Sequence, residues 1–493
     1  MDTDDELSPP PRPDDLQESA IADADPVDVS ATTTTEATYK IVRDTSIRGK
    51  DKLFDSDGYA YTLKRSTARC TTWRCTQRSK KINCPAIVHQ AGATFVVGPR
   101  RHVHQPSLGA EIVASIALQA KLQADDRPFH SAGVIVGELV AEYVAPTQPC
   151  PALPALERMA ANANYHRRRH RPQHPQDLAF PLNVAHIPDD FLRIDVKVDD
   201  ARHLLFATDL QLELLEKAKT WYVDATFYVV RQPFQQLFTI NAFVRQDDCT
   251  KQLPLAMCIM SRRRKRDYVA IFREVSALLP HRRLQRMVLD FENATWRAAR
   301  VVFPTVALKG CAFHFTQAIW RRIQECGLQV AYGRDEGTFK FLRRVMALCF
   351  LPAQHITPVF RRMEQEATAA LTPLMQYVAR TWINSATWLP TCWSVYFQSV
   401  RTNNDLEGWH TRLNARGRAG MNLYMLVALL HDESSLIPVQ VRLVSDGKLK
   451  RHQKKVFVDL QKKIFCLWEE YENGDRSAHH LLRACARLYG PRV

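Results

Sequence analysis

TWYVDATFYVV, residues 220–230, is an apolar run of β-forming residues with one carboxylate, Asp224, near its centre. Burying that charge among Trp, Tyr, Val and Phe is costly unless it is paired or binds a cation. Taken alone, Asp224 also reads as a strand-end residue that caps a turn or joins a salt bridge. A second apolar run, RMVLDFE at 286–292, repeats the pattern and delivers Asp290. Two strands that each carry one acid to the same end of a sheet form the start of a divalent-metal site.

The order of elements around these runs sets the expected fold class, α/β. QLFTINAFV (236–244) and QLPLAMCIMS (252–261) read as two further strands, and RDYVAIFREVSALL (266–279) has helical period. The strand with Asp290, a helix NATWRAARVVF, a strand TVALKGCAFHF (305–315) and a helix through Glu325 follow. Three strands able to form a meander, then alternating helix and strand, is the order of an RNase H-like mixed-sheet core. There the first and fourth strands are neighbours, which would bring Asp224 and Asp290 together. A helical insertion is expected at about 326–398. Beyond it, SVRTNNDLEGWHTRLNARGR (399–418) puts Glu407 on a helix, with Asn403, His410 and Asn414 on the same face. A polar face with one acid is ordinarily turned to solvent. Glu292, two residues after Asp290, is the substitute acid if the strand continues.

Charge points to the partner. The formal net charge is +15, yet residues 1–37 hold eight Asp and three Glu against Arg12, a net of −10 that leaves +25 for the rest. A surplus of that size implies a polyanion, nucleic acid first and an anionic membrane surface second. No apolar run approaches the ~18 residues that span a bilayer, and the acidic start is unlike a signal peptide, so a soluble intracellular protein is expected. Twelve scattered Cys read as thiols or metal ligands of a reducing compartment. Residues 1–38, rich in Asp, Pro and Thr, read as a disordered acidic tail.

Residues 39–107 change to short β-like pieces, KLFDSDGYAYTLKR, TTWRCTQR and PAIVHQAGATFVVG, in a module too small to be held by its core alone. Cys75 and Cys84 enclose eight residues, seventeen more lead to His102, and His104 completes a Cys₂His₂ set suited to tetrahedral Zn²⁺. Lys64, Arg65, Arg69, Arg74, Arg78, Lys80, Lys81, Arg100 and Arg101 surround these ligands and suit phosphate contact.

Residues 108–217 read as a helical connector with a basic cluster, YHRRRHRPQHP, whose Arg167, Arg168 and Arg169 suit a DNA-contacting arm, a nuclear-import signal or a solvated linker. Arg262, Arg263, Arg264, Lys265 and Arg266 lie at a strand-to-helix junction where phosphate can be gripped, and the same run also reads as a nuclear-import signal. Residues 421–493 read as a helical C-terminal region, a candidate dimer or DNA contact.

Two resemblances join these readings. Phe54, Gly58, Tyr59, Tyr61, Trp73, Cys75, Cys84, His102 and His104 resemble the FLYWCH zinc finger. DATF at 224, LDFENA at 289, GCAFHF at 310 and TNNDLEGWH at 402 resemble, over roughly 218–420, the catalytic domain of Mutator-like (MULE) transposases of the DDE type. The resemblance implies Asp224, Asp290 and Glu407 as ligands of catalytic Mg²⁺ or Mn²⁺, with Cys311 and His314 as the family's Cys-x-x-His element and His410 as an accessory residue. Ala225 departs from the Gly common in relatives and leaves the acids untouched. The implied protein is a nuclear DNA transposase, or a domesticated, non-catalytic DNA-binding or chromatin regulator that retains the fold, and a homo-oligomer is compatible with either.

Overall fold

A computed structural model describes residues 37–45, 50–147, 149–246, 249–398, 404–449 and 455–491. The acidic tail and Asn403 therefore lie outside the described residues, apart from the tail's last two positions. The chain divides into two compact units, Met1–Arg169 and His170–Val493.

The first unit opens with a six-stranded antiparallel meander: β1 (Tyr39–Val42), β2 (Lys52–Asp55), β3 (Ala60–Ser66), β4 (Thr71–Cys75), β5 (Ile87–Ala91) and β6 (Thr94–Val97). Its main buried cluster is small, Leu53, Tyr61, Trp73, Cys75, Cys84, Ala86 and Val88 with half-buried Tyr39, Ile41, Tyr59 and Phe95 against it, so a metal is a natural second source of stability. Gly58, at φ +94°, lets the β2–β3 turn approach the chain that follows His104: its carbonyl accepts from Ser107 N–H at 2.9 Å. Three helices follow, α1 (Ala110–Asp126), α2 (Ala132–Tyr143) and α3 (Leu156–Arg167), packed through Ile116, Ala120, Ile135, Leu139 and Met159.

The second unit is built on a seven-stranded mixed sheet that begins earlier than 218. The stretch 108–217 is thus not a helical connector throughout; its second half adds β7 (Leu192–Val198), β8 (Ala201–Phe206) and α4 (Asp209–Lys217). Every residue of β8 is buried, since it has a strand on each side. Then come β9 (Thr220–Thr226), β10 (Gln236–Gln246), β11 (Cys249–Met260), α5 (Lys265–Leu278), β12 (Arg286–Leu289), α6 (Asn293–Val302), β13 (Ala307–Gly310) and α7 (Ala312–Glu325). The sheet order is β13-β12-β9-β10-β11-β8-β7, with β12 parallel to both its neighbours. The fold is mixed α/β, as expected.

Two expected strands stop short. β9 ends at Thr226, where its pairing with Leu237 ends, and Phe227–Val230 leave the sheet. The run 305–315 is strand only to Gly310; Cys311 turns the chain and Ala312 starts α7.

The insertion after α7 holds α8 (Gln329–Arg334), α9 (Glu336–Met346), α10 (Ala353–Glu366), α11 (Thr372–Val378) and α12 (Pro390–Trp393). Beyond it lie α13 (Asn404–Arg416), α14 (Leu423–Ser435), α15 (Ile437–Ser445), α16 (Lys455–Glu472) and α17 (Ala478–Leu488). The last two are not a separate region: Ile464, Trp468, Leu481, Leu482 and Cys485 complete the insertion's own core, and Trp468 donates its indole N–H to the Phe350 carbonyl. Among the described residues no helix is long and apolar enough to cross a membrane.

Candidate functional sites: a zinc centre and an acidic sheet edge

In the first unit, β4 ends on Cys75, Cys84 follows one turn later, and the chain after β6 brings His102 and His104 back to them. One donor atom from each lies within 4.8 Å of all the others. Cys75 Sγ is 3.1 Å from His104 Nε2, Cys84 Sγ is 3.4 Å from His102 Nδ1, and the two ring nitrogens are 3.4 Å apart. Tetrahedral zinc, with bonds of ~2.3 Å to sulfur and ~2.0 Å to nitrogen, separates such donors by roughly 3.4–3.6 Å, so the set fits the ion.

The surroundings orient the ligands. His104 Nδ1 lies 2.8 Å from the Gln105 carbonyl, which can only accept, so this nitrogen carries the proton and Nε2 is left for the metal. Tyr61 donates its hydroxyl to Asp55 at 2.7 Å and so accepts from His102 Nε2 at 2.9 Å, which leaves His102 Nδ1 for the metal. Tyr59 stacks on His102 with ring centroids 3.7 Å apart. Burial, reinforced by His104, lowers the pKa of His102 and keeps it neutral, as ligation requires. Burial pushes the Cys75 thiol up to about 11, so zinc must displace a proton to bind there.

In the second unit, strand alternation sends Trp221 and Val223 into the core and Tyr222 and Asp224 to the other face. Val288 pairs with Tyr222 in the parallel ladder, so continuing that register by two residues sets Asp290 level with Asp224. Asp224 is only 8% exposed. Burial, then the charge of Asp290 and more weakly that of Glu407, raise its pKa to about 7 against a hydrogen bond from Ala225 N–H at 2.9 Å. Burial and the charge of Glu292 push Asp290 to about 7 as well, while Arg263 pulls it down. Burial also raises Glu407, whose Oε1 is buried without a hydrogen-bond partner. Among the described residues, the donor group drawn together within 4.8 Å is the Cys₂His₂ set; the three acids do not close into such a group.

The neighbours of the acids differ in what they are free to do. His410 Nδ1 lies 3.8 Å from Asp224 Oδ2, and burial with the nearby His314 lowers His410 to about 4, a neutral imidazole. His314 Nδ1, His410 Nε2 and Asn414 Oδ1 are likewise buried without partners. Burial holds His314 at about 4. Cys311 is fully buried at the start of α7, its N–H bonded to the Leu289 carbonyl at the end of β12. Glu292 is engaged elsewhere: it accepts from Tyr268 Oη at 2.7 Å and from Thr295 Oγ1 at 3.2 Å.

Sequence reading did not find what holds α13 in place. Glu433 on α14 is 3% exposed and accepts from Trp409 Nε1 at 2.9 Å, from Arg412 at 3.0 Å and from Arg416. Burial works against its charge, but these donors outweigh it and its pKa is lowered. The available signal was an acid, Glu433, at the helical spacing of Leu423, Leu426 and Leu430.

The basic residues also sort differently. Arg167 is 3% exposed and spends its guanidinium on Asn164 Oδ1 and the His130 carbonyl, which ties α3 to the α1–α2 turn; it is not a DNA contact. Arg168 and Arg169 are exposed. Arg264 holds Asp267 and Asp200, and Arg262 also faces Asp200 at 3.6 Å. Arg263 and Lys265 are exposed, with no ion pair among the described residues.

Residues 220–318 match the family model of the MULE transposase domain. Residues 44–104 match that of the FLYWCH zinc finger domain. Among curated proteins, none matches this chain. The FLYWCH match contains all four donor atoms of the Cys₂His₂ cluster, which together suggest a structural zinc. The MULE match runs from the first residue of β9 through the Cys-x-x-His turn into α7, and so holds Asp224, Asp290, Cys311 and His314 but ends before Glu407. The two domains suggest a transposase-like, DNA-binding, nuclear protein.

Proposed function

We propose that the mixed-sheet unit is an RNase H-like transposase core that cleaves and joins DNA phosphodiesters, with Asp224, Asp290 and Glu407 as its metal ligands, and that the zinc module grips the DNA. The observation that carries the reading is geometric: Asp224 is 8% exposed at the end of β9, the β9–β12 register continued by two residues brings Asp290 level with it, and Glu407 Oε1 is buried without a hydrogen-bond partner. Structural ion pairs bring opposite charges together; buried carboxyls gathered at one sheet edge are instead eased by a cation or by a proton. The sheet order supports it too, since a three-stranded meander whose first strand continues into two parallel strands is the RNase H-like arrangement.

The donor set fits hard divalent ions, which take oxygen ligands. The orphaned Glu407 Oε1 is the kind of buried atom a cation would satisfy. A bound pair of Mg²⁺ or Mn²⁺ ions supplies Lewis-acid activation of the attacking oxygen and of the leaving 3′ oxygen in an in-line displacement. The chain's own contribution is positional. Glu433 clamps the helix that carries Glu407, neutral His410 flanks Asp224 without adding charge, and the tight β9–β12 register sets two of the acids level.

The test is nicking of supercoiled plasmid and duplex oligonucleotide DNA by the full chain with Mg²⁺ or Mn²⁺. Activity that disappears in Asp224→Ala, Asp290→Ala and Glu407→Ala supports the reading. Nicking that survives Asp224→Ala removes the assignment of the acids, and DNA binding with no nicking under either metal would favour a non-catalytic regulator.

A further inference from the structure

Immediately after Asp224's strand, two large aromatic side chains face solvent: Phe227 is 51% exposed and Tyr228 52%. They are not on a loose loop. Val229, the next residue, is fully buried, and the backbone is pinned by Gly420 N–H to the Tyr228 carbonyl and Met421 N–H to the Val229 carbonyl, both at 2.9 Å. Gly417 allows this approach, because a Cβ there would lie 2.9 Å from Val229 Cγ1 and 3.1 Å from the Leu413 carbonyl. Rigidly presented adjacent rings that are half exposed mark a recognition surface rather than a core.

The cation beside them narrows the partner. The Arg263 guanidinium lies over the Phe227 ring, 5.1 Å from its centroid. Its neighbours Arg262 and Arg264 are both drawn to Asp200, whereas Arg263 is exposed and makes no ion pair among the described residues. Phe227 follows Asp224 by three residues, just past the end of β9, and carries Arg263 over its ring, so ring, cation and acid share one edge of the sheet. Flat aromatic faces beside an unpaired guanidinium match a nucleic-acid strand whose bases are unstacked: bases stack on rings and phosphate takes the cation, whereas a fully paired duplex hides its base faces.

We propose that Phe227, Tyr228 and Arg263 form a ledge that receives an unpaired DNA terminus, with bases against the rings and a backbone phosphate at Arg263, next to the acids. The proposal rests on the phosphodiester reading only for what happens afterwards; the docking itself needs no metal. The ledge would select frayed or single-stranded ends over paired DNA and deliver the adjoining phosphate to Asp224 and Asp290.

Two duplexes of one sequence, one fully paired and one ending in a few unpaired 3′ nucleotides, are titrated with the full chain in chelator and read by fluorescence anisotropy across salt concentrations. The wild type is expected to prefer the frayed duplex. Phe227→Ala and Tyr228→Ala should each lose about fivefold to a hundredfold on the frayed duplex, with binding of the paired one unchanged, and Phe227→Trp should restore the preference. Arg263→Gln should reduce the slope of log affinity against log salt on the frayed duplex by about 0.7. Both aromatic side chains are exposed, and matching thermal unfolding confirms that the variants fold. The proposal is overturned if the wild type shows no preference, or if both alanine variants keep it. The nicking test is separate: loss of the preference in a protein that never nicks keeps the ledge and removes the catalytic reading, and the reverse result does the opposite.

Discussion

Asp224→Asn should stabilise the metal-free protein at neutral pH and make it indifferent to divalent metal. The amide keeps the carboxylate's shape and removes its charge. A carboxyl pushed from 3.8 up to about 7 is protonated far more readily in the fold than in the unfolded chain. The sign follows: the group's contribution is fully present below about pH 3.8 and is lost as pH rises through about 7, where the fold must hold the anion. At one pKa unit per 1.36 kcal/mol, the full shift bounds the cost above pH 7 at about 4 kcal/mol. Part of that pressure comes from Asp290 and is relieved when either acid takes a proton, so about 2 kcal/mol is the expected gain for the variant. Urea unfolding followed by tryptophan emission at about pH 8 and about pH 5, each with chelator and with excess Mg²⁺, reads it out. Trp221 and Trp296, both fully buried beside the sheet, report on this unit. The variant should exceed the wild type in chelator at the higher pH, the gap should narrow at the lower pH, and Mg²⁺ should stabilise only the wild type, by about 2–3 kcal/mol near a hundredfold excess over the dissociation constant. A variant no more stable than the wild type in chelator at about pH 8, or one that gains equally from Mg²⁺, would refute the reasoning.

Tyr61→Phe removes the acceptor that fixes His102 Nε2–H and should weaken zinc about 10–100-fold, measured by competition with a zinc-binding dye; an unchanged affinity would mean the relay to Asp55 does not orient the ligand. Cys84→Ser should leave the β1–β6 module unfolded with or without added zinc, as followed by circular dichroism of the isolated first unit. Glu433→Ala leaves the Trp409 indole and two guanidinium groups without their acceptor and should cost about 1–3 kcal/mol, with nicking falling much further than DNA binding. Arg167→Ala should destabilise the α1–α3 bundle by about 1–3 kcal/mol, while Arg168→Ala and Arg169→Ala should change only the salt dependence of DNA binding; the opposite pattern would restore Arg167 as a phosphate contact.

What could be read in the chain differed with the range of the interaction. The zinc ligands were legible because chemistry restricts them to a few residue types and the small β-module leaves them nowhere else to converge. Asp224 and Asp290 were legible as charges breaking apolar runs. The two strands of residues 192–206 were missed although LRIDVKV alternates apolar and charged residues at strand period, because the pair is short and lies behind a basic, proline-containing stretch. The internal partners of Arg167, Arg264 and Glu292 were not legible for one reason: a charged side chain in a basic or acidic run gives no local sign of whether an internal partner claims it.

The sequence by itself determined the parts: a small β-module with a Cys₂His₂ set, a mixed α/β domain with acids at strand ends, and a basic surplus suited to a polyanion. Periodicity, ligand chemistry and net charge are local or additive properties, so a single chain displays them. Tertiary structure alone decided which charges remain exposed, how Glu433 fastens α13, and why Phe227 and Tyr228 leave an apolar strand to face solvent. Those outcomes depend on hydrogen bonds between residues far apart in the chain, such as Gly420 to Tyr228, and no local pattern encodes them. Asp224 shows both sides: its awkward charge was visible in TWYVDATFYVV, but the pressure on it from Asp290 and Glu407 exists only in the fold.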